Sequence, residues 1–501
     1  MSAHSRFDQR GMAVVIALFM TVMVTALVAG MTHIARTETV SSSSYSSVSQ
    51  ARYAAESGIA AAAHYLMSDA YEQVMPGSAS DVLTNYNLTV SPVVTSGGQP
   101  IVLSSDPDTP SNYPLSGVVS AFQAGSSGTL DVVDGTVSYS ARATLIAMRQ
   151  IPDGITGENL TLQTWEITGI GRRTAALGSG EVEVTAIIDR TTRPVFNYAA
   201  FATSGGCSAL SFTGNASTRS YDSRIPVPLG GSPVTSNDEG HVGTNGNLSG
   251  GGSANVNGTL STPMAGVGAC TAQNVTAATV AGLGTVSEGL IQLPQPIEFP
   301  TPPVPNPAPP TTNLTINGNN CPSGYGGICV AGGGKTTWTP VDPTTPVLMG
   351  NVTLSGNAVV YLKAGTYHLN SLSISGNTRI MVDSASGGPV KIVLAGQGSV
   401  TNVLDVTGNG IGNMTWDPTL LRFEYAGTKV MDFDGNGDTA AIVYAPNAQG
   451  RFWGNADFFG SVIMRQMDFG GNTRISYDRA LQSSYLTAGN PVMTSFSWRT
   501  F

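Results

Sequence analysis

The stretch Arg6-Phe-Asp-Gln-Arg-Gly-Met-Ala-Val-Val-Ile-Ala-Leu-Phe19 sets a short basic leader directly against a long apolar run, with the junction at Gly11-Met12. Nothing charged occurs between Arg10 and His33. A secretory signal ends its apolar core after about 7–15 residues at a small-x-small site, whereas this run continues with no cleavage box behind it. As a helix, residues 11–32 rise roughly 32 Å at ~1.5 Å per residue, enough for a bilayer core of about 30 Å. Arg6 and Arg10 precede the span with only Asp8 opposing them, which predicts a cytoplasmic N-terminus and export of everything after Ala35. The expectation is a single-pass inner-membrane protein with an exported C-terminal region.

The helix is expected to continue beyond the membrane. Residues 33–72 contain no proline, and Gln50-Ala-Arg-Tyr-Ala-Ala-Glu-Ser-Gly-Ile-Ala-Ala-Ala-Ala-His-Tyr-Leu66 is rich in strong helix formers. Tyr53, Ala54, Ser57, Ala61, His64 and Tyr65 recur at helical spacing. One helix over 12–72 is predicted, ended by Pro76-Gly77. Glu56 reads as an exposed helix carboxylate rather than a buried ionic contact.

Composition bounds the remainder. Only 11% of residues are charged, while 60 are Gly and 29 are Pro, a balance that suits an extracellular β-rich protein full of tight turns. The net charge of −9 comes without any Lys/Arg cluster, which argues against nucleic acid as a partner.

Between 73 and 196 three segments alternate apolar and polar side chains: Thr136–Ala147, Thr161–Gly171 and Gly180–Arg190. Pro152-Asp-Gly154 and Gly178-Ser-Gly180 connect them, so an antiparallel meander is predicted, covered on its apolar face by the amphipathic half of the long helix. Residues 73–133 are poorly patterned and read as loop-rich with short strands.

From 197 a different grammar begins. Gly-Asn pairs recur inside short apolar runs, among them Gly214-Asn215, Gly356-Asn357, Gly376-Asn377, Gly435-Asn436, Gly454-Asn455 and Gly471-Asn472. The step is 20 residues from Asn357 to Asn377, 19 from Asn436 to Asn455 and 17 from Asn455 to Asn472, which suits one coil of a β-solenoid per repeat. Gly and Asn tolerate the left-handed geometry of coil corners, where stacked asparagines are expected to form hydrogen-bonded ladders. Val352, Leu354, Val359, Tyr361, Leu369, Leu372 and Ile374 are assigned to the interior. Residues 197–482 therefore read as a parallel β-helix, followed by a tail over 483–501. Within it, the Pro-rich stretch 292–312 should run as polyproline II, either a linker or a strap along the wall.

Arg10-Gly11 followed by Met12-Ala-Val-Val-Ile-Ala-Leu18 resembles the type IV prepilin class, most closely the PilX-like and GspK-like minor pilins. Ala54-Ala-Glu-Ser-Gly-Ile59 resembles the PilX N-terminal motif. Tyr444-Ala-Pro-Asn447 with Gly454–Ile463 and Gly471–Leu481 resembles the C-terminal solenoid domain found on PilX-like proteins, most strongly over 350–481. The resemblance implies a prepilin leader over 1–11, cleavage between Gly11 and Met12 by a prepilin peptidase, methylation of the new N-terminus, and other pilins as partners through the N-terminal helix. It also implies a pilin-like α+β part, the helix 12–72 against the sheet of 73–196, ahead of the all-β region. The family's glutamate at the fifth mature position falls on Ile16. In a filament that carboxylate meets a neighbour's N-terminal ammonium in apolar surroundings, where an unpaired charge costs several kcal/mol. A chain with Ile16 is a poor repeating unit and is expected once per filament, at the tip. The implied role is a structural minor pilin of a pilus or pseudopilus, acting in assembly and in attachment to a surface or glycan.

Cys207, Cys270, Cys321 and Cys329 all lie on the exported side, and an even count there points to disulfides rather than metal. Cys321–Cys329 as a local loop with Cys207–Cys270 across coils is the preferred pairing, with the other two open. Chemistry is otherwise scarce. The five histidines form no metal-ligand spacing, and Gly332-Gly-Gly-Lys335 has Cys329 where the first glycine of a phosphate loop belongs. Asp432, Asp434, Asn436 and Asp438 resemble the start of a calcium loop, but the twelfth position is Val443 rather than glutamate. Because Gly435-Asn436 also falls on the solenoid's own repeat, a plain coil corner is the preferred reading there and a calcium site the alternative. No cofactor is expected otherwise, and no catalytic residue is assigned. The competing function is a membrane-anchored β-helix enzyme acting on polysaccharides, since Asp432, Asp434, Asp438, Asp457 and Asp468 form the one dense acidic set.

Overall fold

The computed structural model describes residues 9–68, 71, 86–132, 135–155, 159–175, 178–228, 231–270, 274–276, 283–322, 326–342, 344–413 and 415–500. Leader residues 1–8 and Pro76-Gly77 lie outside the described residues. The chain divides into two compact units, one of 1–152, 159–192 and 488–501, the other of 153–158 and 193–487.

The first unit is built on one helix, Gln9–Met67, of 59 residues. Residues 12–46 stand almost wholly uncovered, and burial begins at Ser47. From there the helix lies on a sheet with strand order Val102–Ser104, Thr136–Pro152, Asn159–Ala175, Gly178–Pro194, Leu486–Thr500. The first four of these strands pair antiparallel in turn. The stripe that meets the sheet is Ala51, Ala55, Ile59 and Ala62, against Ala141, Ala143, Ile167, Val182 and Val184. Of the residues that recur at helical spacing, Ala54 and Tyr65 are buried while Tyr53 is 67% exposed. Helix and sheet approach closely. A Cβ on Gly169 or Gly171 would run into the carbonyl oxygens of Ala55 and Ala51, so the helix must present alanines where the sheet presents glycines. Glu56 pairs on the surface with Arg52 at 2.9 Å.

Two features of this unit differ from expectation. Residues Ser116–Gly125 form a short helix that buries Val118 and Phe122 one turn apart, in a segment whose valines and glycines hide the helical period. The last residues, read as a tail, form the strand Leu486–Thr500 beside Gly178–Pro194. The second unit is thus inserted between two neighbouring strands of the first unit's sheet.

The second unit is mostly strand, paired largely in parallel, and its chain starts in the middle. Ala200–Ala202, Leu210–Phe212 and Ser217–Tyr221 form the first winding. On one side it pairs in parallel with Val242–Thr244, Leu248–Gly250 and Asn255–Val256, beyond which lie Leu260–Thr262 and Leu290–Gln292. On the other side it pairs in parallel with Asp457–Phe469 and Arg474–Asp478, the end of the run. Outward from these come Thr439–Phe452, Leu421–Tyr425, Val390–Leu394, Gly365–Ile374, Val347–Leu354 and Asn313–Ile316. From Asn313 to Asp478 each winding pairs with the next in sequence, but a one-way stack would keep the first winding away from the last, and here the two are neighbours. The unit also contains antiparallel pairs, Leu248-Ser249 with Asn274-Val275 and the hairpin Ile328–Gly332/Lys335–Thr339.

The Pro-rich stretch makes the return possible. The Asn245 side chain exchanges hydrogen bonds with the Ile297 backbone at 2.7 and 2.8 Å. Tyr444 donates to the Pro300 carbonyl, and His368 Nδ1 donates to that of Pro307 at 2.9 Å. Pro302, Pro305 and Pro309 are buried. Of the two readings, linker and strap, the structure contains the strap.

Asparagine ladders run along the corners: Asn377 donates to Asn357 at 3.1 Å, and Asn472 to Asn455 and Asn215 to Asn472 at 2.9 Å each. Val352, Leu354, Leu369, Leu372 and Ile374 are interior as assigned, but Val359 and Tyr361 face outward while Val360 and Leu362 are buried. Ala358 takes the buried corner position, and one residue of phase flips every side chain.

Candidate functional site

The surface that distinguishes this chain is the uncovered part of the long helix. Met12, Ile16 and Phe19 are 67%, 55% and 67% exposed, and apolar side chains occupy all sides of the helix as far as Ile34. Among the described residues this is the one helix long and apolar enough, by length and composition, to cross a membrane. Its hydroxyls are already spent: Thr21, Thr25 and Thr32 donate to carbonyls four residues back at 2.6, 2.7 and 2.9 Å, which removes the polarity that an apolar setting penalises. Gly11 and Met12 are within the helix, one residue apart, and Ile16 offers no charge to a neighbouring helix.

Each remaining sequence-singled residue has a place in the second unit. Cys207 is bonded to Cys270 and Cys321 to Cys329, with Cα–Cα distances of 5.5 and 5.7 Å. Gly332-Gly-Gly-Lys335 is a hairpin turn in which Gly333 and Gly334 both take positive φ, 59° and 77°, the two-residue turn that matches strand twist. Asp432 lies in register between Asp405 and Arg451. Arg451 reaches Asp432 at 3.6 Å and Asp434 at 3.4 Å. Burial, and then the neighbouring Asp434, push Asp432 up to about 6 against the pull of Arg451. Asp438 turns elsewhere and accepts from the Asp457 backbone N–H at 3.0 Å, while the Asn436 N–H donates to Gly408 at 3.2 Å. Among the described residues no three His, Cys, Asp or Glu side chains are grouped to hold a metal ion.

Two charged clusters went unnoticed in the sequence. Asp457 holds both Arg219 and Arg474 at 2.8 Å. Glu424, fully buried, pairs with Lys391 at 2.8 Å and with Arg422. Arg422 also donates to the Gly154 carbonyl at 2.8 Å. No spacing signal announces either cluster, because register across distant strands brings the partners together.

Comparison with known proteins adds little. Residues 411–484 match a domain of unknown function, DUF7305. No curated protein matches the chain. Among solved structures, the competence-associated pilin ComZ from Thermus thermophilus aligns over 91% of this chain and 98% of its own at 15% identity, with a TM-score of 0.29. A likeness at that score carries no argument about fold or function.

Proposed function

We propose that this chain is a structural minor pilin of a type IV pilus or pseudopilus, of the PilX-like and GspK-like kind, with an inserted β-solenoid head. The observation that carries the reading is the division of labour along one helix. Residues 12–46 are uncovered and apolar over most of their length, while the stripe from Ala51 to Ala62 is locked to an antiparallel sheet. Such a helix serves as a membrane anchor before assembly and as the packing element between subunits after it. In this account a prepilin peptidase cuts between Gly11 and Met12, the new amine is methylated, and other pilins are the partners. Ile16 leaves a neighbour's ammonium unpaired, and the head, from Arg193 to Thr487, is too bulky to repeat along a closely packed bundle. Both favour low copy number at the tip, with a role in priming assembly and in surface attachment. The chain is assigned no catalysis and no cofactor.

Gold labelling with antibodies against 350–480 on sheared filaments tests the placement. Label confined to filament ends is expected, and label spread evenly along the shafts contradicts it.

A further inference from the structure

Corner glycines of the second unit stack from winding to winding: a Cβ on Gly435 would meet the Gly408 carbonyl at 2.9 Å, and one on Gly454 the Gly435 carbonyl at 2.9 Å. An asparagine follows each of them, and these asparagines form the corner ladder. Asn377 donates to Asn357, Asn409 to Asn377, Asn472 to Asn455 and Asn215 to Asn472. Asn436 occupies the place between Asn409 and Asn455 and is the rung left out. Its backbone N–H donates to Gly408 at 3.2 Å, but its side chain is exposed. Among the described residues neither that side-chain amide nor the N–H of Gly437 has a hydrogen-bond partner.

The chain has five Asn-Gly steps, at Asn245, Asn257, Asn317, Asn409 and Asn436. Glycine in second place sets no side chain against the preceding amide. Four of the five amides are tied. Asn245 is buried, donates to the Thr203 and Ile297 carbonyls at 3.2 and 2.8 Å, and accepts from the Ile297 N–H at 2.7 Å. Asn257 donates to the Thr218 carbonyl at 2.8 Å, Asn317 accepts from Ser355 Oγ at 2.8 Å, and Asn409 reaches Asn377 at 3.5 Å. A tied amide must give up its bond before its carbonyl carbon can swing onto the next backbone nitrogen. Asn436 has no such bond to give up.

We propose that Asn436 is a site of spontaneous modification, at which the side chain cyclises onto the Gly437 nitrogen. The bond that forms joins Gly437 N to Asn436 Cγ; the bond that breaks is Cγ–Nδ2, and the displaced amide leaves as ammonia with the Gly437 proton. Water then opens the cyclic imide at either carbonyl and leaves aspartate or isoaspartate. Water is the one co-reactant. Both products set a new carboxylate between Asp434 and Asp438. Isoaspartate also lengthens the backbone by a methylene, at a corner where Gly437 lies so near the Asn409 carbonyl that a Cβ would overlap it. The proposal concerns the second unit alone and does not depend on the filament reading.

Peptide mapping of the full chain, purified in detergent and aged at mildly alkaline pH, tests it. Trypsin cutting at Lys429 and Arg451 isolates residues 430–451, and fragmentation locates the amide-to-acid change and the isoaspartyl linkage at Asn436. In the folded chain Asn436 should convert roughly fivefold faster than Asn317 or Asn409, the factor that one retained hydrogen bond supplies, and faster still than Asn245 or Asn257. In a sample aged in denaturant the five steps should convert at similar rates, and Asn436→Gln should remove the conversion at this position in the folded chain. Conversion of Asn436 in the folded chain that is absent, or no faster than at the other four steps, overturns the proposal.

Discussion

Phe469 stacks on Phe212, ring centroids 5.0 Å apart and planes 22° apart, although the two residues come from opposite ends of the inserted body. The stack continues through Phe452 to Phe433 at 4.7 Å per step, so one aromatic row passes unbroken through the seam where the last winding meets the first. Arg219 to Asp457, Asn215 to Asn472 and Tyr477 Oη to the Phe196 carbonyl reinforce it. The first winding has neighbours on both sides, and one of them is made last.

Phe212→Ala should therefore cost the second unit about 3–5 kcal/mol, the usual range for deleting a buried aromatic ring. Phe496→Ala, where the side chain is 47% exposed, should cost far less. Denaturant unfolding of the purified chain measures both, and equal effects would mean the seam is not a stability determinant.

Helix and sheet in the first unit approach too closely for a methyl group at Gly171. Gly171→Ala is expected to destabilise by about 1–3 kcal/mol through overpacking. Gly117→Ala, at a helical glycine whose Cβ would have nothing within 4 Å, should be neutral or stabilising by about 0.5–1 kcal/mol. Thermal melts of the two variants should move in different directions or by clearly different amounts.

The two disulfides should differ in weight. Chain-entropy scaling gives about 4 kcal/mol for the Cys207–Cys270 closure, with its separation of 63, and about 2–3 kcal/mol for Cys321–Cys329, with its separation of 8. Paired Cys→Ser variants compared in denaturant should show the larger loss for Cys207/Cys270.

Asp432 makes stability depend on pH. Its folded value, about 6, lies above the ordinary 3.8, so the folded state holds this proton more tightly than the unfolded state. Stability from this group is present below about pH 4 and is lost as pH rises to about 6. Asp432→Asn should raise the unfolding midpoint at pH 7 relative to the parent and change it little at pH 4. A larger gain at pH 4 than at pH 7 would reverse the assigned sign.

Much of this was legible in the chain. The apolar run, the three long strands and the Gly-Asn corners rest on local patterns that a sequence displays. What stayed hidden is what distance creates. The pairing of Ser217–Tyr221 with Arg474–Asp478 depends on a register between segments with no shared spacing. The Leu486–Thr500 strand joins a sheet whose other members ended near residue 194. Strict alternation points Tyr361 inward, but the corner before it consumes one residue and Val360 and Leu362 take the interior instead. The acidic set looked like one cluster in sequence, yet the structure gives Asp432 and Asp434 to Arg451, and Asp457 to Arg219 and Arg474.

Intact-mass and N-terminal analysis of the protein recovered from its native membrane tests the pilin account most directly. The account predicts a mature chain that begins at Met12 with a methylated amine, and accumulation of uncut precursor when Gly11 is replaced by a bulky residue. An intact Met1, or a new N-terminus near Ala35, would contradict it.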